Sequence, residues 1–249
     1  MTAPRVPAGY AVASFDTIDS TNEEARRRAA AGERGPTWIW AKRQTAGRGR
    51  RGRDWESPEG NLMATLLIAP GVSAPEAARL SFVAALAVHD LATAYAARNA
   101  VKVKWPNDVL IGGKKVAGIL LESSGDAGVD VLPWVAIGIG VNLIHAPTTA
   151  HYPATFIGAH GPAPSPTEAL AALAEAWETR FRTWRVSGFA AIREAWLAVA
   201  AGVGQEIEVR LPGETLTGRF ETLMPDGALS LLLPSGARRA ITAGEVFFA

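Results

Sequence analysis

Apolar residues recur along the chain at both helical and strand spacing, and the order of the two predicts an α+β fold. Ser20 with Glu23, and Thr21 with Glu24, have capping-box spacing and open a first helix that should stop near Gly32. Thr37–Ala41 and Asn61–Ala69 read as short strands. Ser73, Pro75 and Glu76 start a long helix to about Ala97, with Leu80, Val83, Ala84, Ala87 and Leu91 along one face. Val101–Trp105 alternates as a strand should, and Gly112-Gly113 between apolar runs signals a hairpin returning along Lys115–Glu122. Trp134–Leu143 is another strand. Ile144–Pro166, rich in Pro, Thr, Ala and His, reads as an irregular loop, followed by helices over 167–184 and 188–201. Beyond Gly202 and Gly204, short strands are separated by Pro212-Gly213, Pro225-Asp226-Gly227 and Pro234-Ser235-Gly236. That turn spacing predicts a small β-barrel. The change of character divides the chain into a larger unit, 1–202, and a small β unit, 203–249.

Composition narrows the chemistry. The absence of cysteine excludes a disulfide scaffold, a thiolate metal site and a cysteine nucleophile. No secretory signal opens the chain, and Val131–Ala146, the longest uncharged apolar stretch, is too short to span a bilayer. A cytoplasmic protein with no membrane partner is expected. The net charge of +1 conceals a strong asymmetry. Six of the 25 basic residues lie in Lys42–Arg53 with no acidic one, which leaves 19 basic against 24 acidic elsewhere, a net of −5. A focused cluster of this kind suits a small anionic ligand, whereas a nucleic-acid binder usually spreads its charge over a face.

Three segments carry candidate chemistry. The first runs from Gln44 to Trp55 and contains Gly47-x-Gly49-x-x-Gly52, the spacing of a dinucleotide fingerprint. The continuation, Asp54-Trp55-Glu56-Ser57-Pro58, is not helical, and Arg53 and Asp54 stand where a Walker loop needs Lys and Ser/Thr. Arginine forks among permissive glycines are suited to closing over phosphate. A solvated RNA-binding or targeting patch fits the segment alone equally well. The second segment joins Lys102–Asp108 to Lys114–Leu120. A lysine such as Lys115 at the head of an apolar strand is costly unless an anion meets it, and Gly118 leaves room for a flat group. A hairpin whose lysines simply face water, with Asp108 in a turn, is the other reading. The third segment is Gly138-Ile139-Gly140-Val141-Asn142, where glycines within a strand mark close approach or plain core packing.

In order, these segments resemble the catalytic domain of biotin protein ligases. The resemblance rests on Asp19-Ser20-Thr21-Asn22, the Gln44–Trp55 loop, Ser57-Pro58, Gly60-Asn61-Leu62, Lys104-Trp105-Pro106-Asn107-Asp108, Lys115–Leu120 and Gly138–Asn142, and covers about residues 10–145. It implies a mixed sheet of the class II aminoacyl-tRNA-synthetase and biotin-ligase type flanked by helices, with a C-terminal Src-homology-3-like barrel. It also implies two reactions: biotin and ATP give biotinyl-5′-AMP, and a lysine of a biotin carboxyl carrier protein domain then takes the biotinyl group. By the resemblance, Ser20, Thr21, Asn22, Gln44, Gly47, Arg48, Lys115 and Gly118 bind biotin. Arg48, Arg50, Arg51, Arg53, Trp55, Asn107 and Asn142 bind ATP or the adenylate. Lys115, Arg50, Arg51 and Asp108 are catalytic, with Asp108 helping the acceptor lysine lose its proton. Magnesium is expected to be held mainly through the phosphates. Only about 18 residues precede the first motif, so a catalysis-only form without a DNA-binding domain is expected, as monomer or homodimer. The alternative on the same fold is a lipoate or octanoate ligase. Glycine content and four like charges predict that the arginine loop is disordered without ligand.

Overall fold

The alternation of side chains along each strand decides what lies on the two faces of a central sheet. The computed structural model describes residues 4–124, 130–148 and 152–248. Residues 149–151 of the loop predicted over Ile144–Pro166 lie outside them. In chain order the elements are β1 (Ala11–Ile18), α1 (Thr21–Ala30), β2 (Thr37–Gln44), β3 (Leu62–Ile68), α2 (Ala74–Ala78), α3 (Leu80–Thr93), β4 (Val101–Lys104), β5 (Asp108–Ile111), β6 (Lys114–Ser123), β7 (Val135–Val141) and α4 (Pro166–Ala198). Five strands follow: β8 (Glu206–Leu211), β9 (Glu214–Leu223), β10 (Leu229–Leu232), β11 (Arg238–Ile241) and β12 (Glu245–Phe248).

The first seven strands form one sheet in the order β1-β2-β3-β7-β6-β5-β4, with β1 parallel to β2 and the other neighbours antiparallel. Val135, Ile137, Ile139 and Val141 of β7 join Leu62, Ala64 and Leu66 of β3 in the core under α3 and α4. The alternate positions of β7 are Ala136, Gly138 and Gly140, and this face meets α1 and the cleft described below. The long helix expected from Ser73 is two pieces that end at Thr93. The two helices expected after 166 form one run interrupted at Gly188, whose φ of 71° and ψ of −175° only glycine adopts readily.

Three differences from the sequence reading have physical causes. The strand β1 was not anticipated, because as an edge strand it is mostly exposed or half-buried and lacks a continuous apolar face. The capping box at Ser20 does not form: the Ser20 N–H is taken by Asp19 Oδ1 at 2.7 Å, and Glu23 turns to Arg26 and Arg48. The C-terminal strands form an antiparallel sheet in the order β11-β10-β9-β8-β12, and no ladder joins β11 to β12 among the described residues. The expected barrel is therefore an open five-stranded sheet, an arrangement consistent with a Src-homology-3-like domain. Turn spacing specifies hairpins; closure needs the two edge strands to meet, and here they do not.

That sheet shares an apolar core with the rest of the chain: Phe220, Leu229 and Leu231 belong to the same buried cluster as Phe82, Phe189 and Trp196. Polar ties reinforce it. Trp105 Nε1 donates to Gly227 O at 3.2 Å, and Arg193 Nε donates to Leu223 O at 2.5 Å. Among the described residues no helix is long and apolar enough to cross a membrane.

Candidate active site

Strand register places a row of residues side by side across the sheet. Lys104 pairs with Asp108, Asp108 with Gly118, Gly118 with Gly140, and Gly140 with Met63. Directly opposed residues of adjacent strands share a face. The row thus has two charged side chains at one end and bare backbone in the middle. The indole of Trp55 lies on that backbone: a Cβ added to Gly140 would stand 2.4 Å from Trp55 Cε2, and one added to Gly118 would stand 3.0 Å from Cζ3. One row along, a Cβ on Gly138 would meet Asn22 Oδ1 at 2.2 Å. Each of these glycines is therefore required by something resting on it.

The inner wall of the cleft is a polar network at the start of α1. Thr21 N and Thr21 Oγ1 donate to Gln44 Oε1 at 2.8 and 3.0 Å, and Gln44 Nε2 donates to Ser57 Oγ at 2.8 Å. Asn22 Oδ1 accepts from Thr65 Oγ1 at 2.6 Å, while Asn22 Nδ2 donates to Glu122 Oε2 at 2.7 Å. Ser20, Thr21 and Asn22 are almost fully buried, so this network is fixed before any ligand arrives.

The arginine loop forms the outer wall. Its base is closed by Trp55 N donating to Gly47 O at 2.9 Å and by a bridge between Arg48 and Asp54. Gly47 lies at that base outside the cleft, where a Cβ would strike Trp55 O and Ser57 Oγ. Carboxylates from three distant elements meet the like charges of this loop. Arg48 pairs with Glu23 of α1 and, at 2.7 Å, with Glu122 of β6. Arg51 and Arg53 both pair with Glu245 of β12. Arg50 turns inward and donates to Asn107 Oδ1 at 2.9 Å; its burial lowers the guanidinium pKa, which still leaves it charged.

Lys115 projects into the centre. Its Nζ lies 2.7 Å from Asp108 Oδ1, 5.4 Å from the Trp55 ring centre and 4.8 Å from that of Tyr152. The Lys115–Asp108 contact is an ion pair by distance, and its angle leaves Asp108 Oδ1 without a hydrogen-bond donor. Of the residues named from sequence, Ser20, Thr21, Asn22, Gln44, Arg48, Arg50, Arg51, Arg53, Trp55, Asn107, Asp108, Lys115 and Gly118 line this one cleft. Asn142 does not; it lines an adjoining hollow with Arg53, Trp55, Lys115 and Tyr152, and its Nδ2 donates to Thr155 O at 3.0 Å. Among the described residues no three His, Asp or Glu side chains converge as metal ligands.

Comparison with known proteins gives the family. Residues 14–142 match the model of the biotin/lipoate A/B protein ligase family, and residues 202–249 match the biotin protein ligase C-terminal domain. A biotin–[acetyl-CoA-carboxylase] ligase of Paracoccus denitrificans is 49% identical over 243 residues, 92% of this chain and 97% of that protein. The chain belongs to the biotin protein ligase family. Among ligases of this family with solved structures, that of Aquifex aeolicus in complex with biotin and ATP superposes with a TM-score of 0.78 at 26% identity, covering 95% of this chain and 97% of the other. The Leishmania major ligase in complex with biotinyl-5-AMP gives 0.66 at 26%, covering 95% and 100%. Sequence reasoning about this ligase missed Lys104, Glu122, Tyr152 and Glu245. Lys104 stood within a recognised motif, whereas Glu245 lies 192 residues from its partner Arg53 and carries no local signal.

Proposed function

We propose that this cleft joins biotin to the α-phosphate of ATP and then transfers the biotinyl group to a lysine of a biotin carboxyl carrier protein domain. The observation that carries the reading is the position of Lys115, between a polar wall suited to a ureido ring and a loop of arginines suited to phosphates. Ser20, Thr21, Asn22 and Gln44 offer hydroxyls and carboxamides to the ring. The ring packs near Gly118 once the Trp55 indole swings off it to cover the adenylate. Joining an anion to a polyanion requires charge neutralisation and alignment more than covalent chemistry. Lys115 neutralises the biotin carboxylate and the α-phosphate together, and Asp108 holds its ammonium in place. Arg48, Arg50, Arg51 and Arg53 exchange their carboxylate and carboxamide partners for phosphate oxygens, to which the planar fork is equally matched. Asn107 then faces the reacting centre, and Asn142 faces the nucleotide base in the adjoining hollow.

Magnesium supplies further neutralisation when bound. A cleft rich in guanidinium groups, without a convergent carboxylate cage among the described residues, fits an ion that arrives on the nucleotide's own oxygens. The unit 1–202 carries the chemistry, and 203–249 supports the nucleotide side through Glu245.

The test is biotin-dependent exchange of labelled pyrophosphate into ATP. The chain should exchange with biotin and not with lipoate, and Lys115→Ala should lose exchange by at least about 100-fold if its charge serves the transition state. Folded protein with magnesium and no exchange would overturn the ligase reading; exchange with lipoate would move it to the other branch of the family.

A further inference from the structure

The transfer step needs a proton acceptor, since the acceptor lysine arrives as an ammonium and attacks only as an amine. Asp108 is poorly placed for this work. Its carboxylate is engaged by Lys115 at 2.7 Å. One residue along the same cross-strand row stands Lys104, which also lines the cleft. Among the described residues its ammonium has no hydrogen bond and no ion-pair partner. It lies instead 5.5 Å from the ring centres of both Phe247 and Phe248, on the last strand of the C-terminal sheet. The opposite side of Phe247 is occupied by Arg210, 4.0 Å from its ring centre.

We infer that Lys104, half-buried in the cleft and without an ion-pair partner among the described residues, is the general base of the transfer step. This rests on the proposed ligase reaction. Neutral Lys104 takes a proton from the acceptor ammonium. The freed amine attacks the acyl carbon of biotinyl-AMP and forms the amide bond. The bond from acyl carbon to phosphate oxygen breaks, AMP leaves with that electron pair, the attacking nitrogen gives its second proton to solvent, and Lys104 returns the first to solvent as well. The charges around Lys104 suit the role. Burial and the Lys115 ammonium lower its pKa, while the carboxylates of Asp108 on β5 and Glu245 on β12 oppose them; the net direction is down. A lysine so placed holds more neutral amine near neutral pH than a free one.

The experiment separates the two half-reactions. Protein loaded with biotinyl-AMP from biotin and ATP is mixed with a biotin carboxyl carrier domain, and single-turnover transfer is followed against pH, beside pyrophosphate exchange. Lys104→Arg keeps a cation by the phosphates and removes the only form able to accept a proton. Transfer should then fall roughly 100-fold, with its pH dependence moving up, while exchange falls far less. Hydroxylamine, uncharged at neutral pH, needs no base, and its acylation by the loaded variant should fall no further than exchange does. Transfer by Lys104→Arg at the native rate at every pH would overturn the inference, as would equal losses in exchange, transfer and hydroxylamine acylation. Absence of exchange in the native protein would instead remove the ligase reading beneath it.

Discussion

At the scale of single residues the cleft is governed by what rests on its glycines. Gly140→Val would put side-chain carbon where the Trp55 indole lies, so the ring must leave. The variant should fold, with native far-ultraviolet circular dichroism, and show no calorimetric binding of biotin; native affinity would mean that the ring-binding end lies elsewhere. Asn22→Ala removes the acceptor of one Thr65 hydroxyl bond and the donor to Glu122 Oε2, while Thr65 keeps Thr21 Oγ1 at 2.8 Å. It should cost about 1–3 kcal/mol in urea unfolding as well as weakening biotin binding. Arg50→Gly removes the inward arginine bonded to Asn107. Adenylate should then escape and label bystander lysines, visible as biotin on albumin added to the reaction; unlabelled albumin would exclude a retaining role. Asp19 is held down to about 2 by hydrogen bonds from Arg27. A carboxyl lowered in this way contributes stability above its unfolded pKa of about 3.9 and loses it as the pH falls through the folded value. Arg27→Ala should bring the Asp19 titration, followed by NMR, back towards about 3.9. Most of the cleft was legible at this scale because its residues sit in short motifs. Glu122 and Glu245 were not, because an exposed-looking carboxylate reveals its partner only when another element arrives beside it.

At the scale of elements, Gly188 offers a clean measurement. It is exposed, a Cβ there would meet nothing within 4 Å, and only its backbone conformation requires glycine. Gly188→Ala should therefore destabilise by about 1–3 kcal/mol without touching catalysis, read by urea unfolding; a neutral result would mean that the run straightens at no cost. The helices and central strands of this chain were readable because each buries a continuous face. The strand β1 was not, having one paired edge and little buried surface, and the Ser20 cap was misread because Glu23 had a better partner in Arg48. Barrel closure lay beyond a local pattern, since the short connection Thr242-Ala243-Gly244 between β11 and β12 does not say whether the two strands pair with each other or lie at opposite edges.

At the scale of the molecule, Phe82 shows how the two family-matched segments are joined. It packs edge-on against Phe189 and Trp196 at 5.3 and 5.5 Å, beneath Gly227 of the C-terminal sheet. Phe82→Ala should cost about 3–5 kcal/mol. Calorimetry should show a single transition before and after the change, whereas two separate transitions would mean that the shared core does not couple the segments. The bed of the cleft has a further consequence for altering the ligase's choice of acid. A floor made of Gly118 and Gly140 has no side chain left to remove, so substitution there can raise it and never deepen it. With the acid resting there as proposed, room for a bulkier one would come from Trp55 and the loop that carries it, and acyl selectivity and retention of the activated intermediate would then be two properties of one segment.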